Sequence, residues 1–537
     1  PKVMAGNQEL TIGEDGKYSF TANSSLSVYV EGLKSANSKI DGLGTEKNPY
    51  KISNAAQLKA FTDSINAGKD KYSEAYIELT DDISLSGETI DPIGTSKYIF
   101  MGFFNGNGHV VSDFRMKPSG GIAGFFGYIA TATVIDLHIK TDYSIEANEE
   151  YNYIFGGLVA YNIGSDVVNC SFEGDISVRN EYADGTVYLG GICGFMQGYA
   201  PDSVADLSFC SYKGTVSSEG SYPLYAEGGI VGGLLGVAYS ATASVYNCSF
   251  EGSVIGYTER AGGVVGYLRD TASVANCIVS GNIDASSKGS NTYAGAIAGT
   301  ADNETAISHC VASATLKSAW GSESEKDGRK DDIAGIVRKE DAFEIDSKES
   351  LLLNNYYTDS GVFAENGSTF GINELDKIVA LLEWHSEDWK SVDGAIRPEY
   401  LESVSQNIKA HFVFGKEITR PDKDGNDLTL TEETVTFSSC LPIYAIWEGN
   451  GMNNFAADDR SVSYGYFLDE ALTQRIPASF LITNDIDVYV GFTSYKPVEG
   501  EYYAVFNITD SNGTTQTEIK LVFDDFGKMT MYCDGMV

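Results

Sequence analysis

Tyrosines recur in the predicted loops that precede each glycine-rich turn of the chain, often beside an acidic residue. Rigid tyrosine rings lose little entropy on contact, and rings near carboxylates suit sugars or basic peptides. If these loops stack in register, they form a tyrosine ridge along one side of the protein. The predicted ligand-binding residues are Tyr153, Tyr182, Tyr188, Tyr222, Tyr225, Tyr257 and Tyr293. The alternative interpretation is that tyrosine is simply common on extracellular β surfaces.

The sequence contains no clear catalytic motif. Acidic residues in predicted loops, such as Glu146, Asp184 and Glu219, keep no fixed spacing that sets them apart from solvated surface charges. None of the five histidines has a second histidine four residues later, so the His-Glu-x-x-His zinc motif is absent. We therefore predict a protein that is not an enzyme. The alternative is a polysaccharide lyase or glycoside hydrolase, which would need two carboxylates and a basic side chain converging on adjacent coils.

One acidic run, Asp422-Lys423-Asp424-Gly425-Asn426-Asp427, is superficially similar to a calcium-binding loop. The EF-hand loop needs its glycine at the sixth position and a helix on each side. Here Gly425 stands at the fourth position and no flanking helix is predicted. We interpret the run as a hairpin turn and predict no cofactor. Calcium held by Asp422, Asp424 and Asn426 is the alternative.

Composition and charge limit the class of protein. The 537 residues include 58 glycines and 33 tyrosines but only 11 prolines, which suits strands joined by tight turns. The formal net charge of −38 repels nucleic acids and anionic membrane surfaces. No apolar run approaches the roughly 20 residues that a membrane-spanning helix needs. The predicted protein is therefore β-rich, does not bind nucleic acid and does not span a membrane.

The elements that would carry the ridge are copies of one short unit. Each copy has a glycine pair, an apolar strand, a polar link and a strand that ends in cysteine. The first glycines, Gly156, Gly190, Gly228 and Gly262, are 34, 38 and 34 residues apart, and a copy at Ala294 follows 32 residues later. Repeats of about 20–50 residues indicate a solenoid or a propeller. We predict a parallel β-helix, right-handed by the usual rule for parallel crossovers.

Equivalent residues of successive coils should stack in columns spaced by about 4.8 Å. Stacked side chains point the same way, so a column of cysteines is predicted to hold buried free thiols rather than disulfides. Glycine pairs are expected where backbones pack too closely for a Cβ. An amide ladder at a turn is expected from Asn169, Asn247 and Asn276. The cysteine column consists of Cys170, Cys210, Cys248, Cys277 and Cys310.

Two helices and several boundaries complete the organisation. Leu58, Phe61 and Ile65 lie on one face of a helix that is expected to cover the first coil. Apolar residues from 372 to 382 predict a second helix that closes the far end. The predicted domains are an N-terminal β segment (1–40), the β-helix lead-in and N-cap (41–120), the repeats and C-cap (121–400), a β module (405–495) and a small or truncated β domain (496–537).

The glycine-pair turns and the Asn-Cys-Ser-Phe-x-Gly strands resemble the GLUG repeat, and the segment from Pro49 to His109 resembles the usual lead-in to such repeats. Together they cover roughly residues 41–400. That repeat occurs in bacterial surface proteins and adhesins and in the stalks of zinc-dependent immunoglobulin A peptidases. Separately, residues 465–472 with 482–489 are similar to the Listeria–Bacteroides repeat, a small β-grasp-like module, although Tyr466-Phe467 replaces its usual tryptophan. Both resemblances imply an exported, multi-domain surface protein of binding type.

We therefore predict an all-β fold in which a parallel β-helix with a capping helix at each end precedes small β domains. The expected function is that of a monomeric, secreted or cell-surface adhesin-like protein. It would bind a host or environmental glycan, or a host protein, through one face of the β-helix. A purely structural stalk is a further interpretation.

Overall fold

A computed structural model describes the backbone of residues 2–5, 8–9 and 28–31, and most residues from 38 onward. The residues after 38 that it does not describe are 70–71, 148–152, 181–186, 199–204, 221–229, 233–234, 240–242, 257–259, 271, 286–292, 302–304, 319–336, 340–350, 359–361, 366–367, 401–407, 422–426, 438–439, 444–461, 478–479, 494–499, 511–512, 524–528 and 534–537.

Four parallel sheets wind into a solenoid, and a full coil adds one strand to each sheet in turn. Sheet 1 contains Ile122–Ala123, Tyr153–Gly156, Val187–Gly190, Ile230–Gly232, Arg260–Gly262 and Tyr293–Gly295. Sheet 2 contains Phe126–Ala130, Val159–Ile163, Cys193–Gln197, Leu235–Tyr239, Val265–Arg269, Ala298–Ala301 and Val337–Lys339. These strands bear out the prediction of an all-β, parallel β-helix fold.

The other two sheets begin earlier in the chain. Sheet 3 contains Tyr50–Ile52, Tyr76–Leu79, Phe103–Asn105, Thr133–Ile135, Asp166–Val168, Ala205–Ser208, Ala243–Tyr246, Ser273–Ala275, Ala306–Ser308 and Leu351–Leu353. Sheet 4 contains Ile83–Ser84, Val110–Ser112, His138–Lys140, Ser171–Glu173, Ser211–Gly220, Ser249–Gly256, Ile278–Ala285, Val311–Ser318 and Tyr356–Thr358. Tyr143–Ala147 and Ile176–Asn180 extend sheet 4, and Thr89–Ile90 pairs with Arg115–Met116 beside it.

The register of sheet 1 corrects one predicted repeat boundary. Gly190 pairs with Gly232, and Gly232 pairs with Gly262, so the glycine that begins this coil's turn is Gly232 and not Gly228. The true spacings are therefore 42 and 30 residues instead of 38 and 34. Gly228 and Gly232 each begin a similar Gly-Gly-x-x-Gly stretch. Only pairing with the neighbouring coils decides between them, because both stretches fit the same glycine motif.

Side chains that point inward form stacks that run through the coils. Phe172, Tyr212 and Phe250 stack on consecutive coils of sheet 4, with ring centroids 5.8 and 5.7 Å apart. The cysteine column is buried and every one of its thiols is free, as predicted. Each thiol donates to a carbonyl oxygen two residues earlier, as Cys248 does to Tyr246 at 3.2 Å. Cys193 and Cys440 are buried and free as well.

The turn between sheets 3 and 4 holds the predicted amide ladder. Asn169, Asn247 and Asn276 all have φ near +50°, the left-handed region that asparagine tolerates better than most residues. Asn276 donates to Asn247 on the preceding coil at 3.0 Å, and Asn169 donates to Asp136 on its own preceding coil. The asparagines therefore serve both the backbone conformation of the turn and the contact between coils.

Helix α1, Ala55–Asn66, covers the first coil as predicted. The side chain of Asn54 accepts a hydrogen bond from the backbone N–H of Gln57 and so caps the helix. Phe61 is fully buried and its ring lies 6.0 Å from Phe100 and 6.1 Å from Phe104, which both belong to the solenoid core. The helix thus buries the end of the core that the first strands leave open.

Helix α2, Leu375–Leu382, lies on the flank of the solenoid, whereas the sequence predicted that it closes the far end. Its buried residues Ile378 and Leu382 pack with Ile278 and Val311, which are on the outer face of sheet 4. The 3₁₀ helix Ser386–Asp388 and the hairpins Val362–Glu365 with Ser368–Gly371 and Trp389–Val392 with Ala395–Pro398 surround it. Neither α1 nor α2, among the described residues, is long and apolar enough to cross a membrane.

A C-terminal module docks on the outer face of sheet 3. Its mixed five-stranded sheet has the order Asp427–Phe437, Ile408–Pro421, Ile486–Thr493, Val462–Phe467 and Arg475–Ile476, with Leu441–Pro442 paired to Leu481–Ile482 beside it. Tyr246, Ala275 and Ala306 of sheet 3 share one buried cluster with the module. The remaining strands are Lys2–Ala5, Gln8–Glu9 and Val28–Glu31 at one end of the chain, and Gly500–Asp510, Gly513–Phe523 and Met529–Cys533 at the other.

Candidate functional site

The glycine pairs form a sharp corner where sheet 1 meets sheet 2. A Cβ on Gly156 would overlap the carbonyl oxygen of Val159 on its own coil and approach the backbone of Gly194 on the next. Gly262 stands in the same relation to Val265 and Gly299. Because these Cβ positions lie on the outer face, the corner is concave toward the outside. The close packing predicted for the glycine pairs is thus confirmed and explains their place in each coil.

Aromatic rings on sheet 2 form one wall of this corner. Tyr128, Tyr161 and Phe195 occupy the same register position on three consecutive coils. Their ring centroids are 5.3 and 5.0 Å apart, with interplanar angles of 21° and 25°, so the rings stack face to face. Tyr267 occupies the same position two coils further on. Stacked aromatic neighbours each contribute about 0.5–1.5 kcal/mol beyond area burial.

The opposite wall belongs to sheet 1 and is mainly apolar. Ile122, Ile154 and Tyr188 follow one another in register and cluster with the sheet 2 rings across the corner. Tyr188 meets Phe195 edge to face at 5.4 Å, so the two walls are in contact at this coil. We call this surface the corner groove and define it by Ile122, Tyr128, Ile154, Tyr161, Tyr188, Phe195 and Tyr267. Its rings other than Tyr267 are partly exposed.

Cationic side chains frame the groove at Tyr267. The guanidinium of Arg260 lies 4.5 Å from the ring centroid of Tyr267, and that of Arg269 lies 5.7 Å from it. Arg260 continues the sheet 1 wall and is followed in register by Tyr293. Cation–π contacts of this kind are worth about 0.5–1 kcal/mol when exposed and more when desolvated. The groove therefore changes from aromatic and aliphatic to aromatic and cationic along its length.

Burial favours the protonated form of the tyrosine hydroxyls in the corner groove. Desolvation raises the pKa of Tyr128 above its usual value. It does the same for the pKa of Tyr161, where the neighbouring hydroxyls of Tyr128 and Tyr188 add to the effect. Both hydroxyls therefore remain protonated at neutral and mildly alkaline pH. Each can donate one hydrogen bond and accept others.

The structure separates the tyrosines of the predicted ridge. Tyr153 is only 3% exposed and points into the core, where its ring lies 5.5 Å from Phe155, so its assignment to the ridge was wrong. Alternation along the strand explains the difference, because Ile154 takes the outward position instead. Tyr188 and Tyr293 share one outward column on sheet 1. Tyr182, Tyr222, Tyr225 and Tyr257 lie outside the described residues.

Sequence reasoning missed the sheet 2 rings, although a signal for them exists. Tyr161, Phe195 and Tyr267 each stand five residues after the first glycine of a pair, and Tyr128 stands five after Ala123. Val237 has the same offset once Gly232 is taken as the first glycine. The outward rings of sheet 2 thus hold a fixed position within the glycine motif itself. The predicted tyrosines come from the predicted loops before the motif, which lead into sheet 1.

Acidic groups do not assemble a metal site in the described part of the chain, where no three His, Cys, Asp or Glu side chains converge. The possible calcium ligands Asp422, Asp424 and Asn426 lie outside the described residues. Asp166 and Asp206 do lie side by side on adjacent coils of sheet 3. They are on the outer face of sheet 3, part of which the C-terminal module covers, and not at the corner groove. No basic side chain is among the groups that most affect their pKa values.

Several known proteins share parts of this chain. It is 27% identical over 198 residues to halomucin of Haloquadratum walsbyi, across 33% of this chain and 2% of that protein. It is 33% identical over 104 residues to a candidate Gly-rich membrane protein of Evansella cellulosilytica, across 19% of this chain and 12% of that protein. A solved structure of a candidate immunoglobulin A1 protease from Bacteroides ovatus, 19% identical, superposes with a TM-score of 0.43 over 67% of this chain and 95% of its own. The chain thus spans only a small part of halomucin and of the Gly-rich membrane protein.

The GLUG motif matches residues 151–177 and 257–284. Each match covers one coil, because it includes a sheet 1 strand, the glycine corner, a sheet 2 strand, a sheet 3 strand, the left-handed turn and the start of sheet 4. The structural elements that create the corner groove are therefore those that the motif encodes. At these two coils the solenoid is built from GLUG motifs, as the sequence resemblance predicted.

Proposed function

We propose that this chain is a non-catalytic, secreted or cell-surface protein that holds an extended glycan along the corner groove. The observation that supports this most directly is the aromatic column of sheet 2, in which Tyr128, Tyr161 and Phe195 place one ring on each coil. A binding surface that repeats once per coil suits a ligand that also repeats. Glycan chains are such ligands, since they are polymers of similar rings.

The chemistry of the groove agrees with a neutral glycan. The partly exposed ring edges offer apolar contacts, and the protonated hydroxyls of Tyr128 and Tyr161 can donate to sugar oxygens. Tyrosine provides both kinds of contact at low entropic cost. The formal net charge of −38 disfavours a polyanionic ligand at long range. We therefore propose a neutral rather than a sulfated or uronic acid polymer.

The surface location is part of the same proposal. It is supported by the GLUG motifs and by relatives named halomucin and a candidate Gly-rich membrane protein. A host or environmental protein remains an alternative ligand for the same face.

A second candidate function is that of a purely structural stalk. The rings of Tyr128, Tyr161 and Phe195 turn their faces toward one another, so these faces are already occupied. A ladder of this kind stabilises the stacking of coils whether or not a ligand is present. On this interpretation, binding would be the task of another part of the protein.

A pair of matched substitutions distinguishes the two functions. Tyr161→Ala removes a ring from the corner groove, while Tyr76→Ala removes one from a comparable stacked pair, Tyr76 and Phe103 at 5.3 Å, on sheet 3. Both variants and the unaltered chain are applied to an array of neutral glycans, acidic glycans and host matrix proteins. Glycan binding predicts at least a tenfold loss for Tyr161→Ala alone, with a similar loss of stability in both variants.

Three outcomes would contradict the proposal. Equal binding by both variants, or no binding by any, with only the melting temperature changed, would favour the stalk. Release of shorter saccharides from a bound glycan, detected by chromatography, would show that the chain is an enzyme. Tyr161→Phe separates the contribution of the ring from that of the hydroxyl, because it keeps the stacked ring and removes only the hydroxyl.

A further inference from the structure

The interface between sheet 3 and the C-terminal module contains two neighbouring carboxyl groups. Asp166 and Asp206 are in register on adjacent coils, and both point to the outer face because the flanking Val167 and Leu207 are in the core. Asp206 is followed in register by Ser244 on the next coil. Both aspartates keep only a minor part of their surface exposed.

The module covers this part of sheet 3. Cys440 of the module is 3% exposed and shares a cluster with Tyr246, which is 7% exposed. Burial raises the pKa values of the Cys440 thiol and the Tyr246 hydroxyl, and Asp206 lies close enough to contribute to both in the same direction. Asp206 therefore lies at the contact between the solenoid and the module. On the same side, His385 contacts the carbonyl oxygen of Thr483 in the module at 3.1 Å.

The groups that surround the two carboxyls favour their neutral forms. Burial raises the pKa of Asp206 to about 8, and the nearby charge of Asp166 contributes in the same direction. A hydrogen bond from Ser244 opposes this shift. Burial also raises the pKa of Asp166 to about 6. Among the described residues, the other titratable groups at this contact are Tyr246, Cys440, Asp388 of the 3₁₀ helix and His385, and of these only His385 can carry a positive charge.

We propose that docking of the C-terminal module on sheet 3 is coupled to protonation of Asp166 and Asp206, so that the module binds the solenoid more tightly in acid and loosens as the pH rises. The device needs no ligand, because the two carboxyls on neighbouring coils supply it. When the module leaves, the outer face of sheet 3 with Tyr246 and Ala275 becomes accessible.

The direction follows from proton linkage. An exposed aspartate has a pKa of about 3.9, so the undocked state releases protons that the docked state keeps. Docking is therefore at full strength below about pH 4 and weakens as the pH rises through the docked-state pKa values, up to about pH 6 for Asp166 and about pH 8 for Asp206. Each carboxyl changes the docking equilibrium by at most about tenfold per pH unit within its window.

The test measures alkylation of Cys440 in the full chain by peptide mass spectrometry between pH 5 and 8. Alkylation of a thiol is itself faster at higher pH. The alkylation rate of Cys440 in the unaltered chain is therefore divided, at every pH, by the rate in the Asp206→Asn variant. Asparagine has the same shape and does not titrate. The proposal expects this ratio to rise at least tenfold from pH 5 to pH 8. Asp376→Asn, an exposed acid in α2, is the matched control and should give the same rates as the unaltered chain.

A second variant covers the case in which Asp206→Asn disturbs folding. Ser244→Ala removes the hydrogen bond that favours the ionised form of Asp206, so the window of weakening should move to higher pH. A constant ratio across this pH range, or an unshifted window in Ser244→Ala, would overturn the proposal. Small-angle scattering gives an independent readout, since a loosened module should increase the radius of gyration at pH 8 relative to pH 5.

Discussion

Asn276 donates a hydrogen bond from its Nδ2 to Oδ1 of Asn247 on the preceding coil, at 3.0 Å. Asn247 donates in turn to Oδ2 of Asp388 at 3.2 Å and so connects the flanking segment to the ladder. The ladder ends on the next coil, where His309 takes the left-handed position. Asn276 Oδ1 and His309 Nδ1 are buried there and, in the described part of the chain, have no hydrogen-bond partner.

Extending the ladder should stabilise the solenoid. His309→Asn would place an amide donor next to Asn276 Oδ1 and keep a residue that tolerates positive φ. One restored buried hydrogen bond is worth about 1 kcal/mol. The free energy of unfolding in urea should rise by about that amount at pH 7.5. Asn247→Ala, which breaks two bonds of the same ladder, should instead lower it by about 2–3 kcal/mol. A loss of stability in His309→Asn would show that the imidazole ring contributes more by packing.

His309 should also make the free energy of unfolding depend on pH. Burial lowers the pKa of His309, so the folded state resists a proton that the unfolded chain accepts near pH 6.5. The contribution of neutral His309 is present above pH 6.5 and is lost as the pH falls, by at most about 1.4 kcal/mol per pH unit. The stability difference between His309→Asn and the unaltered chain should therefore widen from pH 7 to pH 5. Parallel urea titrations would reveal a constant difference if His309 did not titrate.

Glycine at the corner should be indispensable for packing. A Cβ on Gly262 would overlap the carbonyl oxygen of Val265, which is backbone and cannot move aside. Gly262→Ala should therefore cost about 3 kcal/mol or more. Gly108 is the control, since its φ of +73° is unfavourable for alanine but no atom lies within 4 Å. Gly108→Ala should cost only about 1 kcal/mol. Equal melting temperatures for the two variants would contradict this account of the corner.

The cysteines of the column should not react with thiol reagents in the native chain. Burial raises the pKa values of Cys170, Cys248 and Cys310. Burial acts in the same direction on Cys210 and Cys277, but hydrogen bonds from neighbouring column thiols outweigh it and lower their pKa values. All five side chains are at most 1% exposed, so lack of access keeps a reagent from either form of the thiol. A thiol reagent should label none of the five column cysteines at pH 7 within hours, and all of them in denaturant. Mass spectrometry of the labelled peptides gives the result by residue. Rapid labelling of Cys248 without denaturant would mean that the coils open locally.

Much of the fold was accessible from the sequence because repeats place equivalent residues in equivalent surroundings. A glycine pair, an asparagine and a cysteine at recurring positions were enough to predict the solenoid, the tight backbone contact, the amide ladder and the free thiols. The GLUG motif at residues 151–177 and 257–284 agrees with that interpretation. The similarity of residues 465–489 to the Listeria–Bacteroides repeat stays a prediction.

The candidate site was less accessible, since it depends on which of two neighbouring residues faces outward. Tyr153 and Ile154 are adjacent, yet the tyrosine is in the core and the isoleucine lines the corner groove. The aromatic column of Tyr128, Tyr161 and Phe195 has a fixed offset from the start of the glycine motif. That offset identifies residues of the corner groove only once the corner between sheets 1 and 2 is known.

The sequence by itself determined the local units: strands, tight turns, the left-handed asparagine positions and the order of the coils. Short-range spacing and steric limits on the backbone decide these features. Tertiary structure alone decided the choice of Gly232 over Gly228, the place of α2 on the flank of sheet 4, and the docking of the module on the outer face of sheet 3. Those features depend on strand register and on contacts between residues far apart in the chain, which no local pattern encodes.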